Sequence, residues 1–375
     1  MTVSKRSYEP LFTPASIGDV GLKNRIAVAP MTRISASEEG LVTERNGSYY
    51  GVYADGGFGL VITEGLFIDE QASQGYLFQS GIATPAHAEA WKPVIERVHA
   101  GGAKMFAQLM HAGSQSQDNI RTARTLGPSA VRPKGEKVGA YRGSGPYGIP
   151  EEMTLEQIDE VRRSFVAAAR LARDAGFDGV EIHGANGYLI DAFLTDYLNT
   201  RTDQYGGSVA NRARLAVEIS RDVAAAVGSQ ITTGIRISQG KVSDHAHRWA
   251  GAEEDAAVIF SALADTGLDY IHTTEYRALA PAFDSGPKNL AELAKRYSGL
   301  TVIANGHLDD PADATAIVES GAADVVALAK PALANRNWPD LVRAGRELAG
   351  DLPADLFGPY VDIKDWELVS SDRTI

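Results

Sequence analysis

The fold class this sequence predicts is an α/β barrel of eight parallel strands, the (β/α)8 or TIM barrel, and three observations predict it. First, an alanine-rich or charged helical stretch that ends at glycine and leads into a short apolar run recurs five times. The copies are at Asp55-Gly56-Gly57, Ala100-Gly101-Gly102, Asp174-Ala175-Gly176, Asp265-Thr266-Gly267 and Ser320-Gly321-Ala322. Glycine just past a helix takes the left-handed cap that stops it, and near-continuous apolar strands are those covered on both faces. Second, the apolar runs give eight candidate strands, near 25–29, 60–64, 104–109, 178–183, 231–236, 269–273, 301–304 and 324–328. Eight strand-helix units favour a closed barrel over an open sheet. Third, the length of 375 residues suits a barrel with insertions. One domain is expected over 1–375, with its barrel core over about 24–348.

The elements follow in order. Residues 12–22, with the turn signal Ser16-Ile17-Gly18-Asp19, suit a hairpin closing the barrel floor. After the third strand, residues 112–150 are rich in Gly, Pro, Ser and Arg without periodicity, which marks a lid-like excursion over the barrel mouth. Within it Gly143-Ser144-Gly145-Pro146-Tyr147-Gly148 has the spacing of a dinucleotide fingerprint. No strand precedes it and Ile149-Pro150 follows where a helix should start, so the match is read as accidental. The next helix begins at Thr154-Leu155-Glu156-Gln157, where Gln157 is the reciprocal partner of an N-cap threonine.

Composition excludes several function classes. A net charge of -12 with no basic cluster argues against a nucleic-acid surface. No apolar run approaches the ~20 residues needed to cross a bilayer. The start, Met1 to Tyr8, is charged and is followed by no apolar signal region, so the cytoplasm is the expected compartment. Zero cysteines exclude disulfides, thiolate zinc, iron-sulfur clusters and a cysteine nucleophile. Small molecules are the expected partners. His245 and His247 lack further ligands of fitting spacing, so no metal is expected.

The stretch Asp178-Gly179-Val180-Glu181-Ile182-His183-Gly184-Ala185-Asn186-Gly187-Tyr188 is an apolar strand ending in three side chains that donate hydrogen bonds or protons. At the C-terminal mouth of a barrel, two neutral donors and one phenolic acid suit a substrate oxygen that gains charge while a nearby carbon takes a proton. Taken alone, the segment reads first as a turn whose backbone groups His183 and Asn186 satisfy, with Tyr188 half-buried in the core.

The run His183-Gly184-Ala185-Asn186-Gly187-Tyr188-Leu189-Ile190-Asp191, continued by Asp203-Gln204-Tyr205-Gly206-Gly207-Ser208 and Asn211-Arg212, resembles the Old Yellow Enzyme family of FMN-dependent ene-reductases. The similarity runs over about 11–339. It implies that hydride passes from NAD(P)H to bound FMN and then to the β-carbon of an activated alkene, an α,β-unsaturated carbonyl or nitroalkene. His183 and Asn186 would then hold the substrate oxygen and Tyr188 would supply the proton. The resemblance also implies a flavin cradle from Pro30, Met31, Thr32, Gly65, Gln108 and Arg236. Thr32 stands where one branch of the family has cysteine. Gly65 would permit close backbone approach. Arg236 is a cation that needs an anion, either reduced flavin or a neighbouring acid. Asn305, Gly306, Ala329 and Lys330, after strands seven and eight, would hold the phosphate. Tyr76, Tyr276 and His272 are candidate walls of the substrate pocket, and His111 of the mouth or the lid hinge.

Two departures from the family stand out. Ala329-Lys330 replaces the commoner Gly-Arg, which removes a bidentate fork from the phosphate site and implies weaker FMN retention. Asp362-Ile363-Lys364-Asp365-Trp366 replaces the usual aromatic tail, so homo-oligomer contacts carried over from relatives are in doubt. Three rivals stand beside the ene-reductase. One is a flavin reductase of nitrate esters, nitroaromatics or quinones, and another a flavin-binding protein without turnover. The third is a Schiff-base aldolase barrel built on Lys330.

Overall fold

The computed structural model describes residues 8–369, so the charged start at residues 1–7 lies outside the described residues. Among those described, eight parallel strands close a barrel. They are β1 (Ile26–Val28), β2 (Leu60–Phe67), β3 (Lys104–Met110), β4 (Gly179–Asn186), β5 (Thr232–Lys241), β6 (Tyr270–Thr274), β7 (Thr301–Asn305) and β8 (Val325–Leu328). Each falls on one of the eight expected intervals. Closure is made where Val326 of β8 pairs with Ile26 of β1. Outside lie α1 (Glu44–Asp55), α2 (Pro85–Ala100), α3 (Leu155–Ala175), α4 (Leu189–Leu194), α5 (Val209–Val227), α6 (Ala252–Ala264), α7 (Leu290–Ser298) and α8 (Pro311–Glu319).

Local signals explain the helix limits. At the start of α3 the Gln157 amide N–H donates to Thr154 Oγ1 at 3.2 Å, and the Thr154 N–H donates to Gln157 Oε1 at 2.9 Å. Such a reciprocal cap is worth about 1 kcal/mol. The helix stops at Gly176, whose φ of +100° is left-handed. Where two glycines end a helix it is the second that turns, as Gly57 does at φ +94°.

The interior follows the period of two. Gly179, Glu181 and His183 on β4 share one parity, as do Phe106 and Gln108 on β3 and Tyr270 and His272 on β6. A Cβ on Gly179 would collide with the Phe106 ring, and one on Gly234 with the Tyr270 ring. The two glycines therefore make room for the aromatic pair, whose ring centroids lie 5.8 Å apart across the lower barrel. Burying each ring contributes roughly 1.5–3 kcal/mol. Beneath them the hairpin of Ala15–Ile17 and Val20–Leu22 plugs the floor, with Thr232 Oγ1 donating to the Ile17 carbonyl at 2.9 Å.

The upper barrel is polar. Glu181, fully buried, accepts from Gln108 Nε2 at 2.8 Å and the Tyr270 hydroxyl at 3.2 Å, and pairs with His272 Nδ1 at 2.8 Å. Burial opposes its charge, but His272, Arg236 and Gln108 together hold its carboxyl below the usual range. Burial also lowers the His272 imidazole, and the Glu181 carboxylate on its Nδ1 opposes that shift.

Over the mouth, the excursion is held by Leu126–Gly127 pairing with Glu151–Glu152. Its glycine-rich segment doubles back, with Pro146 bridging to Glu136, and opens no helix. The C-terminal segment folds over the same region and ends in a 3-10 turn, Asp365–Leu368. No helix among the described residues is long and apolar enough to cross a membrane.

Candidate active site

The strand ends converge on one cleft of about 800 Å³ at the C-terminal mouth. Pro30, Met31, Thr32, Gly65, Gln108, His183, Asn186, Tyr188, Arg236, Ala329 and Lys330 all line it. All eleven are residues that the sequence singles out. Tyr141 from the excursion and Phe357 from the C-terminal segment, which the sequence did not suggest, complete the rim.

The three donors are held by different devices. His183 is buried inside β4, and burial, then Arg236 and His272, pushes its imidazole well below the usual range. It is neutral at physiological pH, and its Nδ1 has no partner among the described residues. Asn186 sits on a register shift between β4 and β5 with φ +64°. Asparagine tolerates that left-handed geometry better than most side chains. Its backbone is pinned by its N–H donating to Ser238 Oγ at 2.8 Å and by Gln115 Nε2 donating to its carbonyl at 2.7 Å. The Tyr188 ring stands edge-on to His183 at 4.9 Å, and its hydroxyl contacts that of Tyr76. Burial raises the Tyr188 phenol, which is protonated at neutral pH.

A buried ion pair behind this loop escaped the sequence reading. Lys241 Nζ meets Asp191 Oδ1 at 2.7 Å with both side chains fully buried, while Asp191 Oδ2 accepts the Gly187 N–H at 2.6 Å. The pair fixes the Gly187-Tyr188 turn. Glu181 was missed likewise. The signal for it was a carboxylate two residues before His183 in an apolar strand, hence on the same inward face.

Arg236 makes no ion pair among the described residues. One guanidinium nitrogen donates to Thr274 Oγ1 at 3.2 Å and Asn305 Oδ1 at 3.1 Å. Its Nε is buried without a partner. A neighbouring acid does act on it, since Glu181 raises its proton affinity through space against the larger effect of burial.

A second cleft of about 560 Å³ continues from the first, lined by Asn305, Gly306, His307 and again by Ala329 and Lys330. Gly306 is obligatory there: its φ is +138°, and a Cβ would strike the Glu275 carbonyl. The two clefts share Ala329 and Lys330 and form one continuous trough. Unpartnered Arg236 Nε and His183 Nδ1, Gln108 facing the same space and the cation Lys330 at the far end fit a tricyclic ring that carries a phosphate tail.

Several expected residues lie elsewhere. Tyr276 does not wall the compartment of His183. The loop after β6 is laid against β7 by Glu275 N–H donating to the Asn305 carbonyl and Ala278 N–H to that of Gly306. This sends Tyr276 outward onto His307, 66% exposed, where it lines the second cleft instead. His272 is not in a wall either but inside the barrel on Glu181. What Gly65 makes room for is the Met110 side chain, which would overlap a Cβ there. Tyr76 is buried and does not line the cleft, but it contacts two residues that do, Tyr188 through its hydroxyl and Tyr141 through its ring. His111 braces the start of the excursion, its Nδ1 accepting the Gly113 N–H at 3.1 Å. His247 Nδ1 faces the Gln239 carbonyl, and the described residues contain no group of three or more metal-binding side chains. Lys330 is exposed, unlike the desolvated amine that Schiff-base chemistry uses.

The C-terminal segment, whose sequence looked atypical, is tied to the loop after β1. Arg33, next to Thr32, donates to both Glu367 carboxylate oxygens at 2.6 Å and to the Val361 carbonyl at 2.9 Å. Val361 in turn packs in a cluster with Tyr76 and Tyr188.

Comparisons with known proteins agree with this fold. The model of the NADH:flavin oxidoreductase / NADH oxidase family matches residues 10–349. A probable flavin mononucleotide-dependent alkene reductase of Leishmania infantum is 35% identical over 361 residues, covering 93% of each chain. An NADH oxidase of Thermoanaerobacter brockii is 33% identical across 91% of this chain, which spans only 52% of that longer protein. The solved Old Yellow Enzyme homologue from Zymomonas mobilis superposes with a TM-score of 0.85 at 30% identity, covering 96% of this chain and 98% of that one. The chain belongs to the NADH:flavin oxidoreductase / NADH oxidase family of FMN-dependent oxidoreductases, the family of Old Yellow Enzyme.

Proposed function

We propose that this protein reduces activated alkenes, such as α,β-unsaturated carbonyls or nitroalkenes, with reduced nicotinamide as the electron source. The observation that carries the reading is the convergence of His183, Asn186 and Tyr188 on a compartment walled by Thr32, Gln108 and Arg236. FMN, when bound, would supply the hydride chemistry that joins NAD(P)H to the β-carbon of the alkene. Pro30, Met31, Thr32, Gly65, Gln108 and Arg236 would hold its ring, and Asn305, Gly306, Ala329 and Lys330 its phosphate.

The chain's own residues do the rest. His183 and Asn186 are neutral donors that receive the substrate oxygen, and each such donor lowers the barrier by roughly 2.7–4 kcal/mol. Neutrality matters, because a donor that keeps its proton stabilises developing charge without consuming it. Tyr188 gives its proton to the α-carbon. Arg236, with its partnerless Nε, offsets negative charge building in the compartment. The expected compartment remains the cytoplasm, where reduced nicotinamide is available, and the expected partners are small molecules.

The test separates the two half-reactions by stopped flow. Tyr188→Phe should slow enone reduction by about 10² or more, as loss of a general acid does, and leave flavin reduction by nicotinamide nearly intact. Equal slowing of both half-reactions would contradict the assignment.

A further inference from the structure

Tyr76 contributes a second hydroxyl behind the proposed acid, and the fold fixes it there. Its loop follows β2 and is held on both sides by one fully buried residue. Gln79 Oε1 accepts the Gly75 N–H at 2.7 Å, and Gln79 Nε2 donates to the Gly65 carbonyl at 2.6 Å. The Tyr76 ring packs at 4.9 Å on Tyr141. Its hydroxyl is buried, and among the described residues its hydrogen-bond partner is Tyr188.

Two phenols in contact share one hydrogen, so the direction of the bond decides what Tyr188 can do. If Tyr188 donates, its proton points away from the cleft and is unavailable. If Tyr76 donates, the Tyr188 proton is free to face a substrate. After transfer the choice disappears, because a Tyr188 phenolate can only accept. A hydrogen bond to a charged oxygen is also stronger than the neutral bond it replaces. The interaction therefore grows as the reaction proceeds, which is the condition for lowering a barrier. The same bond opposes the rise that burial imposes on the Tyr188 phenol and adds to the rise on that of Tyr76.

We propose that Tyr76 is a positioning residue: its hydroxyl donates to the Tyr188 oxygen, leaves the Tyr188 proton free for the substrate and stabilises the phenolate left behind. The proposal rests on Tyr188 being the proton donor. In the step concerned the Tyr188 O–H bond breaks, the proton joins the α-carbon, and the electron pair of the former double bond forms the new C–H bond. The β-carbon has already received hydride. The O–H electron pair stays on Tyr188, held by Tyr76, until a solvent proton restores the phenol.

The test is a double-mutant cycle with the FMN-loaded protein and cyclohexenone, read as alkene reduction rates in H₂O and D₂O. Tyr76→Phe keeps the ring and removes only the hydroxyl. It should slow alkene reduction about tenfold, as loss of a charge-assisted hydrogen bond implies, and raise the solvent isotope effect. In a Tyr188→Phe background the same change should add less than about twofold, because the bond is already gone. An additive slowing in both backgrounds, or a Tyr76→Phe rate with an unchanged isotope effect, would overturn the proposal and mark Tyr76 as a packing residue. A Tyr188→Phe variant that reduces the alkene at the normal rate would instead remove the underlying acid.

Discussion

Lys330 shows how much one side chain decides at the far end of the trough. It is the first residue of a short helix, Lys330–Ala334, and touches both clefts. A lysine there neutralises phosphate as a point charge without a bidentate fork. Exposed charge pairs contribute about 0.2–1 kcal/mol. Lys330→Ala should therefore weaken FMN retention about threefold at low salt, with the difference shrinking as salt rises. Lys330→Arg should tighten it. Fluorescence titration of the apoprotein with FMN measures both, and equal affinity for all three proteins would remove Lys330 from the phosphate site. At this scale the sequence was a good guide wherever a residue ended a strand, because a strand end fixes where the side chain points. It did not foresee the placement of Tyr276, which lies two residues past the end of β6 in a loop whose path is set by backbone bonds to β7. No local pattern encodes that path.

Elements were legible to the extent that their signals are local. The capping box of α3, the glycine stops and the eight apolar runs all act within a few residues, and all reappear in the fold. The C-terminal segment is the counterexample. Its anchor is an ion pair between Arg33 and Glu367, 334 positions apart, and neither residue looks special in its own neighbourhood. The pair is almost completely buried. Truncating one partner of such a pair leaves the other charge desolvated, a loss of about 3–5 kcal/mol. Glu367→Ala should accordingly lower stability by that order in urea unfolding and loosen the Val361 contact with Tyr76 and Tyr188. A change below about 1 kcal/mol would show that the segment is held by other contacts. Tyr188 itself is set by a comparable device, the buried Lys241–Asp191 pair, which holds the turn at Gly187.

The whole barrel serves to bring side chains from Thr32 to Lys330 to one mouth. Its lower half is filled by Phe106, Tyr270 and the hairpin, which makes a rigid floor, whereas its upper half is a polar layer of Glu181, His272, Gln108 and Arg236. The sequence foretold the closed barrel but not that layer, because a buried acid in an apolar strand acquires meaning only when seven other strands surround it. The central claim is that His183 and Asn186 jointly receive an oxygen above the flavin ring in this compartment. Titrating the FMN-loaded protein with a phenol, whose phenolate mimics the developing enolate, tests it through long-wavelength absorbance. The native protein should develop a saturable band, and the variant carrying both His183→Ala and Asn186→Ala should develop none. Unchanged phenol affinity in that variant would contradict the account.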